Sequence, residues 1–411
     1  MIKSDKREYR DDKLGIYVHI PFCVRKCRYC AFPSRAIGVD NTDKLEVLKT
    51  FGNALIAEIS HMKNFVKSAK GDDHNVITVD TIFFGGGTPS LMPLGELENI
   101  MEAIRSNFNV LPGCEITLES NPGTLTLENL REYRKMGINR ISMGVQSLQD
   151  MELKTLGRIH HKDQAIASYK LIREAGFENV NLDLMFGFPG QSMESWIDTM
   201  KQVKDLDPEH ISFYSLQLEE GTSLYDMYMK DEIAMPAEEL DRAMYHEAAA
   251  FLKSQEYNHY EISNCAKAGY ECRHNLRYWN LSDYLGLGPG AHSYIRGASE
   301  KGGGLRFANP PDLDAYMGAL ENGRRAFDIT SENTREDDMT DYIITAMRRS
   351  QGIVFSEFRQ LFGCDFESAY EHMAEKIHHW EHLEFIRITK EGMGFTLKGV
   401  DVSNSILAEF V

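Results

Sequence analysis

Short apolar runs, each closed by a turn, alternate with longer amphipathic stretches through the first half of the chain. The runs lie at residues 15–20, 80–84, 115–119, 140–145, 179–185 and 210–216. Each is rich in Ile, Val, Leu, Phe or Met, which is how strands read. Between them, residues 42–67, 94–108, 127–136, 163–175 and 192–206 have the spacing of helices with one apolar face. Glycines in Met136-Gly137-Ile138 and Ala175-Gly176-Phe177 stand where two of those helices should end. Strand and helix alternating in this way predict the α/β class, with a parallel sheet and right-handed crossovers. Six such units fall short of the eight of a closed barrel. The expected architecture is a partial (β/α)6 TIM-like barrel, with a doubly wound open sheet as the alternative. Both put a ligand at the C-terminal strand ends, where the loops that follow the strands converge.

A further helix pattern at 235–254 is followed by a loop-rich stretch to about residue 304. Beyond 332 the spacing predicts helices at 337–348 and 354–361 and a small hairpin from 384–388 and 394–396. The predicted organisation is a barrel core at 1–235, an extension at 236–330 and a small, mostly helical, winged-helix-like domain at 331–411. A length of 411 residues accommodates this. No apolar run approaches the ~18 residues that a membrane span needs. The N-terminal residues mix charges and contain no apolar core, so a signal peptide is not expected. Seven cysteines in so long a chain do not form a disulfide framework, and reduced cytoplasm is the expected compartment. A net charge of -17 argues against nucleic acid as the main partner and otherwise reads as solubility.

Three of the cysteines are set as Cys23-x3-Cys27-x2-Cys30, directly after the first strand. Thiolates at that spacing can wrap one face of a cubic iron–sulfur cluster, and three of them leave one corner iron open. A structural zinc site would need a fourth ligand, for which the local candidate is His19, back on the strand. Other candidates end the next strands. Phe84-Gly85-Gly86-Gly87-Thr88-Pro89 lets a backbone approach a ligand closely, although a bare tight turn explains it as well. Glu119, in Glu119-Ser-Asn-Pro-Gly123, could take a ribose hydroxyl or an amine, or simply cap its loop. Gln146 ends the fourth strand, Arg158 follows it, and Asp183 lies inside the fifth, where an acid needs a partner.

Tyr17-x-His19-x-Pro-Phe-Cys23-x3-Cys27-x2-Cys30, Gly85-Gly-Gly-Thr-Pro89, Glu119-Ser-Asn-Pro122 and Gly144-Val-Gln-Ser147 together resemble the radical S-adenosylmethionine superfamily. More narrowly they resemble its branch of oxygen-independent coproporphyrinogen III oxidases. The resemblance implies a 4Fe-4S cluster on Cys23, Cys27 and Cys30, whose open iron chelates S-adenosylmethionine. It implies cleavage of that sulfonium to methionine and a 5′-deoxyadenosyl radical, with a small electron donor such as flavodoxin or ferredoxin. By the same resemblance Tyr17, Gly86 and Glu119 line the cofactor. Tyr29, Gly87, Thr88, Gln146, Arg158 and Asp183 match positions that hold a second S-adenosylmethionine in the oxidase.

The chain departs from the oxidase at Phe32, where that enzyme has a further cysteine, and in having sixteen residues before Tyr17, too few for its N-terminal arm. Phe32, the short N-terminus and His274-Asn275-Leu-Arg-Tyr278-Trp279 look instead like the heme-chaperone sub-branch. Tyr284-Leu-Gly-Leu-Gly-Pro-Gly-Ala-His292-Ser-Tyr continues that likeness. On this reading His274 offers an axial imidazole to heme, Tyr278 and Trp279 cover the porphyrin, and Asn275 bonds a propionate or steadies the ring. The alternative is a loop packed by its own aromatics, with His274 satisfied inside it. Cys265 and Cys272 could offer thiolate ligands but read better as plain buried cysteines, and the pair His160-His161 reads as surface. The expected partners are heme, a heme-acceptor protein and a second copy of the chain, with no membrane span. The expected function is heme transfer by a cluster- and S-adenosylmethionine-binding protein. Its rivals are a tetrapyrrole enzyme, such as the decarboxylase, and a chain that uses the cluster as a structural staple.

Overall fold

The computed structural model describes residues 13–38, 44–71 and 76–411. The charged stretch before residue 13 and the first two residues of the helix expected from 42 lie outside them. Six strands follow the predicted runs: β1 (Leu14–Ile20), β2 (Thr78–Gly86), β3 (Asn109–Ser120), β4 (Arg140–Gln146), β5 (Val180–Phe186) and β6 (His210–Ser215). Each pairs in parallel with the next. Helices α1 (Lys44–Lys70), α2 (Leu94–Asn107), α3 (Leu127–Lys135), α4 (Asp150–Thr155), α5 (Lys162–Glu174) and α6 (Met193–Leu206) lie between them. Side chains alternate faces along a strand. Ile16, Val18, Ile82, Phe84, Leu118, Ile141, Leu182 and Ile211 all point to the face the helices cover, and are buried with Phe51, Leu55, Ile100, Ile172 and Trp196 of those helices. Removing this apolar surface from water is the main force holding the layers together. The opposite face carries the polar residues. Members of all six strands line one small cavity there, so the sheet is curled into an open half-barrel.

The helix expected at 235–254 is α8 (Glu238–Ser254), preceded by α7 (Ser223–Met229). The stretch after it, expected to be loop-rich, is instead mostly regular. It contains β7 (Asn258–Glu261), β8 (Asn264–Ala266), α9 (Arg273–Trp279), β9 (Tyr284–Leu287) and β10 (His292–Ile295), followed by β11 (Gly302–Ala308) and β12 (Asp328–Thr334). Strands of three or four residues carry too few positions to show a period, and they form by pairing with an edge already present. β9 adds to β1 in parallel, and β10, β11 and β12 continue antiparallel. At the other edge β8 and β7 follow β6 antiparallel. The resulting order of the twelve strands is β12-β11-β10-β9-β1-β2-β3-β4-β5-β6-β8-β7. The expected HNxxYW loop is therefore a helix, α9.

A second hydrophobic cluster gathers residues such as Tyr342, Ile343, Phe358, Phe366 and Met393. It is built chiefly by α11 (Arg335–Ala346), α12 (Phe355–Phe362) and a three-stranded antiparallel sheet of Ile353–Val354, Ile386–Ile388 and Gly392–Phe395, whereas α10 (Leu313–Glu321) packs into the first cluster through Leu313, Tyr316 and Leu320. Among the described residues no helix is long and apolar enough to cross a membrane.

Candidate functional site

The C-terminal ends of the strands carry the cysteine loop. His19, at the end of β1, donates from Nε2 to the carbonyl of Pro33 at 2.8 Å and, through Nδ1, meets the hydroxyl of Tyr17 at 3.0 Å. A carbonyl can only accept, so Nε2 holds the proton, Nδ1 accepts from Tyr17, and the ring is neutral. Burial pushes its pKa down, in agreement. This histidine thus pins the segment after Cys30 to the barrel.

The glycines after β2 fit against the same loop. Gly86 has φ +106, and a Cβ there would lie 2.5 Å from the His19 ring. A Cβ on Gly87 would lie 2.6 Å from the carbonyl oxygen of Phe22. Both positions therefore exclude side chains on steric grounds. Thr88 donates to the Sγ of Cys23 at 3.6 Å, and Arg158 to the Sγ of Cys27 at 3.5 Å. Arg158 also reaches Asn121 and the carbonyl of Gly144, while its buried Nε has no partner. Tyr29 is half-buried beside this guanidinium. Gln146 sits here too, with the left-handed φ of +67 at a bulge of β4. Strain of that kind costs of order 1–3 kcal/mol and collects at working sites. Burial raises the thiol pKa of Cys23 and of Cys30, with Cys27 close enough to add to both. Among the described residues no three such side chains are drawn as tightly together as the ligands of a single metal ion.

Below the loop lies the inner cavity, of about 170 Å³. Tyr17, Glu119, Asp183, Tyr214 and Tyr278 line it. Glu119 accepts from the backbone N–H of Gly86 at 3.1 Å. Burial, and then the neighbouring Asp183, push its pKa up to about 8, so it holds a proton at neutral pH. Asp183 accepts from Asn181 at 2.7 Å and Ser142 at 3.3 Å, and burial raises its pKa as well. Arg140, buried at the base of β4, is the cation that faces both acids.

His274 closes this cavity from beneath. α9 packs across β2 and β3: Glu115 accepts from the backbone N–H groups of Arg273 at 3.1 Å and His274 at 3.0 Å, and Arg277 pairs with Asp80. His274 is 1% exposed, and both its nitrogens are bonded, Nδ1 to Thr81 and Nε2 to Tyr278, each at 2.9 Å. Its ring stacks on Phe83, and burial lowers its pKa to about 3. Asn275 and Tyr278 share the cavity wall. Trp279 lies elsewhere, under the guanidinium of Arg348. The four residues of the motif thus do not form one open face.

The sequence-predicted residues fall into two groups. Tyr29, Gly87, Thr88, Gln146 and Arg158 surround the cysteines. Tyr17, Glu119 and Asp183 line the inner cavity, and the N–H of Gly86 links the groups through Glu119. Arg140, Tyr214, Asn181, Ser142 and Asn121 were missed. Asn181 lies two residues from Asp183 on β5, and Ser142 and Arg140 lie four and six before Gln146 on β4, so reading every second position of those strands would have found these three. Asn121 follows the end of β3, and β6 carried no predicted residue. Cys265 and Cys272 are buried as read, whereas His160 is a correction. It is 3% exposed and bonded to the carbonyl of Val145 at 3.2 Å, because α5 begins only after it and the preceding loop turns inward.

Residues 17–203 match the Radical SAM superfamily. Over 402 residues the chain is 33% identical to heme chaperone HemW of Bacillus subtilis (strain 168), covering 96% of this chain and 99% of that one. With heme chaperone HemW of Escherichia coli (strain K12) it is 37% identical over 284 residues, 69% of this chain and 70% of that one. Among solved structures, coproporphyrinogen III oxidase (HemN) from Escherichia coli, described as a radical SAM enzyme, superposes with a TM-score of 0.80 at 23% identity. That superposition covers 98% of this chain and 91% of the other, and it is a likeness of fold.

Proposed function

Because the chain belongs to the Radical SAM superfamily and, within it, to the heme chaperone HemW family, we propose that it binds heme and hands it to an acceptor protein. The superfamily implies a 4Fe-4S cluster and S-adenosylmethionine on the same barrel. The observation that carries the reading is kinship over nearly the full length of a chaperone, joined to a loop that offers three neighbouring thiols. The chemistry of the donors fits the implied pair. Three thiols adjoin, the orphaned Nε of Arg158 awaits an acceptor, and the glycine cradle has no room for side chains.

In this proposal Cys23, Cys27 and Cys30 hold the cluster as thiolates. When bound, the cluster supplies an electron of low potential and an iron open to an outside ligand. Thr88 and Arg158 donate to two of the sulfurs, and hydrogen bonds to cluster sulfurs raise the reduction potential. His19 fixes the loop that follows Cys30. Tyr17, Gly86 and Glu119 take S-adenosylmethionine, with Tyr29, Gly87, Thr88, Gln146, Arg158 and Asp183 as the positions of a second molecule. Glu119, neutral in the empty cavity, ionises when a cationic group arrives beside it. A small one-electron donor of the flavodoxin or ferredoxin type completes the scheme. Exposed Arg25 and Lys26 on the cysteine loop favour an anionic partner there. Free cysteines throughout the described chain favour the cytoplasm.

Ligation of heme iron by His274 requires that its bonds to Thr81 or Tyr278 break and that α9 leave the barrel. The test of the main reading is turnover. Anaerobically reconstituted, reduced protein given S-adenosylmethionine and coproporphyrinogen III is expected to yield no protoporphyrinogen, while binding hemin in a one-to-one complex. Robust decarboxylation without hemin binding would replace the chaperone with the enzyme.

A further inference from the structure

A cavity of about 170 Å³ is smaller than the ~300–1,000 Å³ usual for cofactor-sized ligands, so the space around His274 does not take a porphyrin as it stands. A groove elsewhere is large enough. It measures about 590 Å³ and runs between α8, the edge strand β7 and the C-terminal domain. Ala249, Ile262, Phe395, Leu397 and Leu407 give it apolar walls. Its charge is the reverse of the molecule's. In a chain of net charge -17, Lys253, Arg348, Arg349 and Arg387 line it and no carboxylate does. Arg349 is paired with Glu357, and Arg387 donates to the carbonyls of Phe395 and Ser350. Among the described residues Lys253 and Arg348 have no carboxylate within ion-pair distance. An apolar slot with two cations that no carboxylate pairs, of which Arg348 lies over the Trp279 ring and in the field of Glu261, suits a flat hydrophobic ligand that carries two carboxylates.

The groove also holds an imidazole in a ligating posture. His259 donates from Nε2 to the carbonyl of Ile262 at 3.3 Å, and Nδ1 has no hydrogen-bond partner among the described residues. Metal-ligating histidines characteristically donate one N–H to a carbonyl in this way, which fixes the tautomer and leaves the other nitrogen's lone pair for the metal. Burial lowers the pKa of His259, so the ring is in the neutral, ligating form. A larger cleft of about 670 Å³, near Lys63, Lys67 and Arg105, offers cations but no imidazole. The one soft donor there, Cys114, is held as a thiol by burial, its pKa pushed up to about 12.

We propose that heme binds in the groove between barrel and C-terminal domain, with Nδ1 of His259 on the iron and Lys253 and Arg348 on the propionates. The proposal rests on the heme-chaperone reading and assigns it a site. That site lies where the two parts of the molecule are joined by main-chain bonds, Ile262 N–H to Arg348 O and Ser350 N–H to Tyr260 O, both 2.9 Å.

The test is hemin titration of the full chain, read by the Soret band. In His259→Ala affinity is expected to fall at least about tenfold and the band to shift, with added imidazole restoring its position. Lys253→Glu with Arg348→Glu is expected to weaken binding by a similar factor without moving the band. Ala250→Trp, an exposed position of α8 on the groove, blocks entry without touching the core. It is expected to lower affinity with unchanged circular dichroism, which keeps the test valid if His259→Ala folds poorly. Wild-type titrations from all three variants, with loss of the band in His274→Ala, would overturn the groove and return heme to the barrel. A wild-type chain that binds no hemin would instead remove the chaperone reading itself.

Discussion

Glu119 shows most clearly what the barrel does to a single residue. In the unfolded chain its carboxyl ionises near the ordinary value of 4.5, whereas burial beside Asp183 holds the proton up to about 8. Between those values the folded state binds more protons than the unfolded one, so this residue's contribution to stability is present at low pH and lost as pH rises through the window. The melting temperature of the cofactor-free protein should therefore fall across it, and Glu119→Gln should flatten the fall. Calorimetry at closely spaced pH values checks this, and an unchanged slope in the variant would contradict it. Glu119 and Asp183 were legible because polar residues inside apolar runs need a reason to be there. His274 could be read either as an open ligand or as a histidine satisfied in its packing, and the structure has it satisfied. Sequence spacing does not say which side of a seven-residue helix meets a sheet, and here the imidazole side does.

At the scale of elements, the six strand–helix units could be read to within a few residues, since each spans enough positions to show its period. The segment from β7 to β10 could not, because its strands are four residues or shorter. α9 illustrates what replaces periodicity there. It stays on the barrel through Glu115 at its first backbone N–H groups and through the buried pair of Arg277 and Asp80. Arg277 also donates to the carbonyl of Lys13, so the helix ties β1 to β2. Removing one partner of a buried ion pair typically costs roughly 3–5 kcal/mol because the other charge is left without compensation. Asp80→Asn should cost about that much in urea denaturation and loosen α9 first, as fast amide exchange from Arg273 to Trp279. A loss under about 1 kcal/mol would show that the helix is held by packing alone.

For the whole molecule, the half-barrel brings a three-thiol loop, a glycine cradle and a cavity with two half-buried acids to one end, and sets a cationic groove elsewhere on a chain of net charge -17. The first of these could be read in the sequence, because the cysteines, glycines and acids fall on consecutive units and converge once those units form a parallel sheet. The groove could not, since Lys253, His259, Arg348 and Arg387 come from four separate segments that meet only in the folded chain. The proposed chemistry depends most on a cluster whose protein ligands leave one iron free. The direct measurement is electron paramagnetic resonance of the anaerobically reconstituted, reduced protein before and after addition of S-adenosylmethionine. A cluster signal whose g values shift on addition, and that is lost with Cys27→Ala, is the predicted result. A signal indifferent to S-adenosylmethionine, or one that survives Cys27→Ala unchanged, would contradict it.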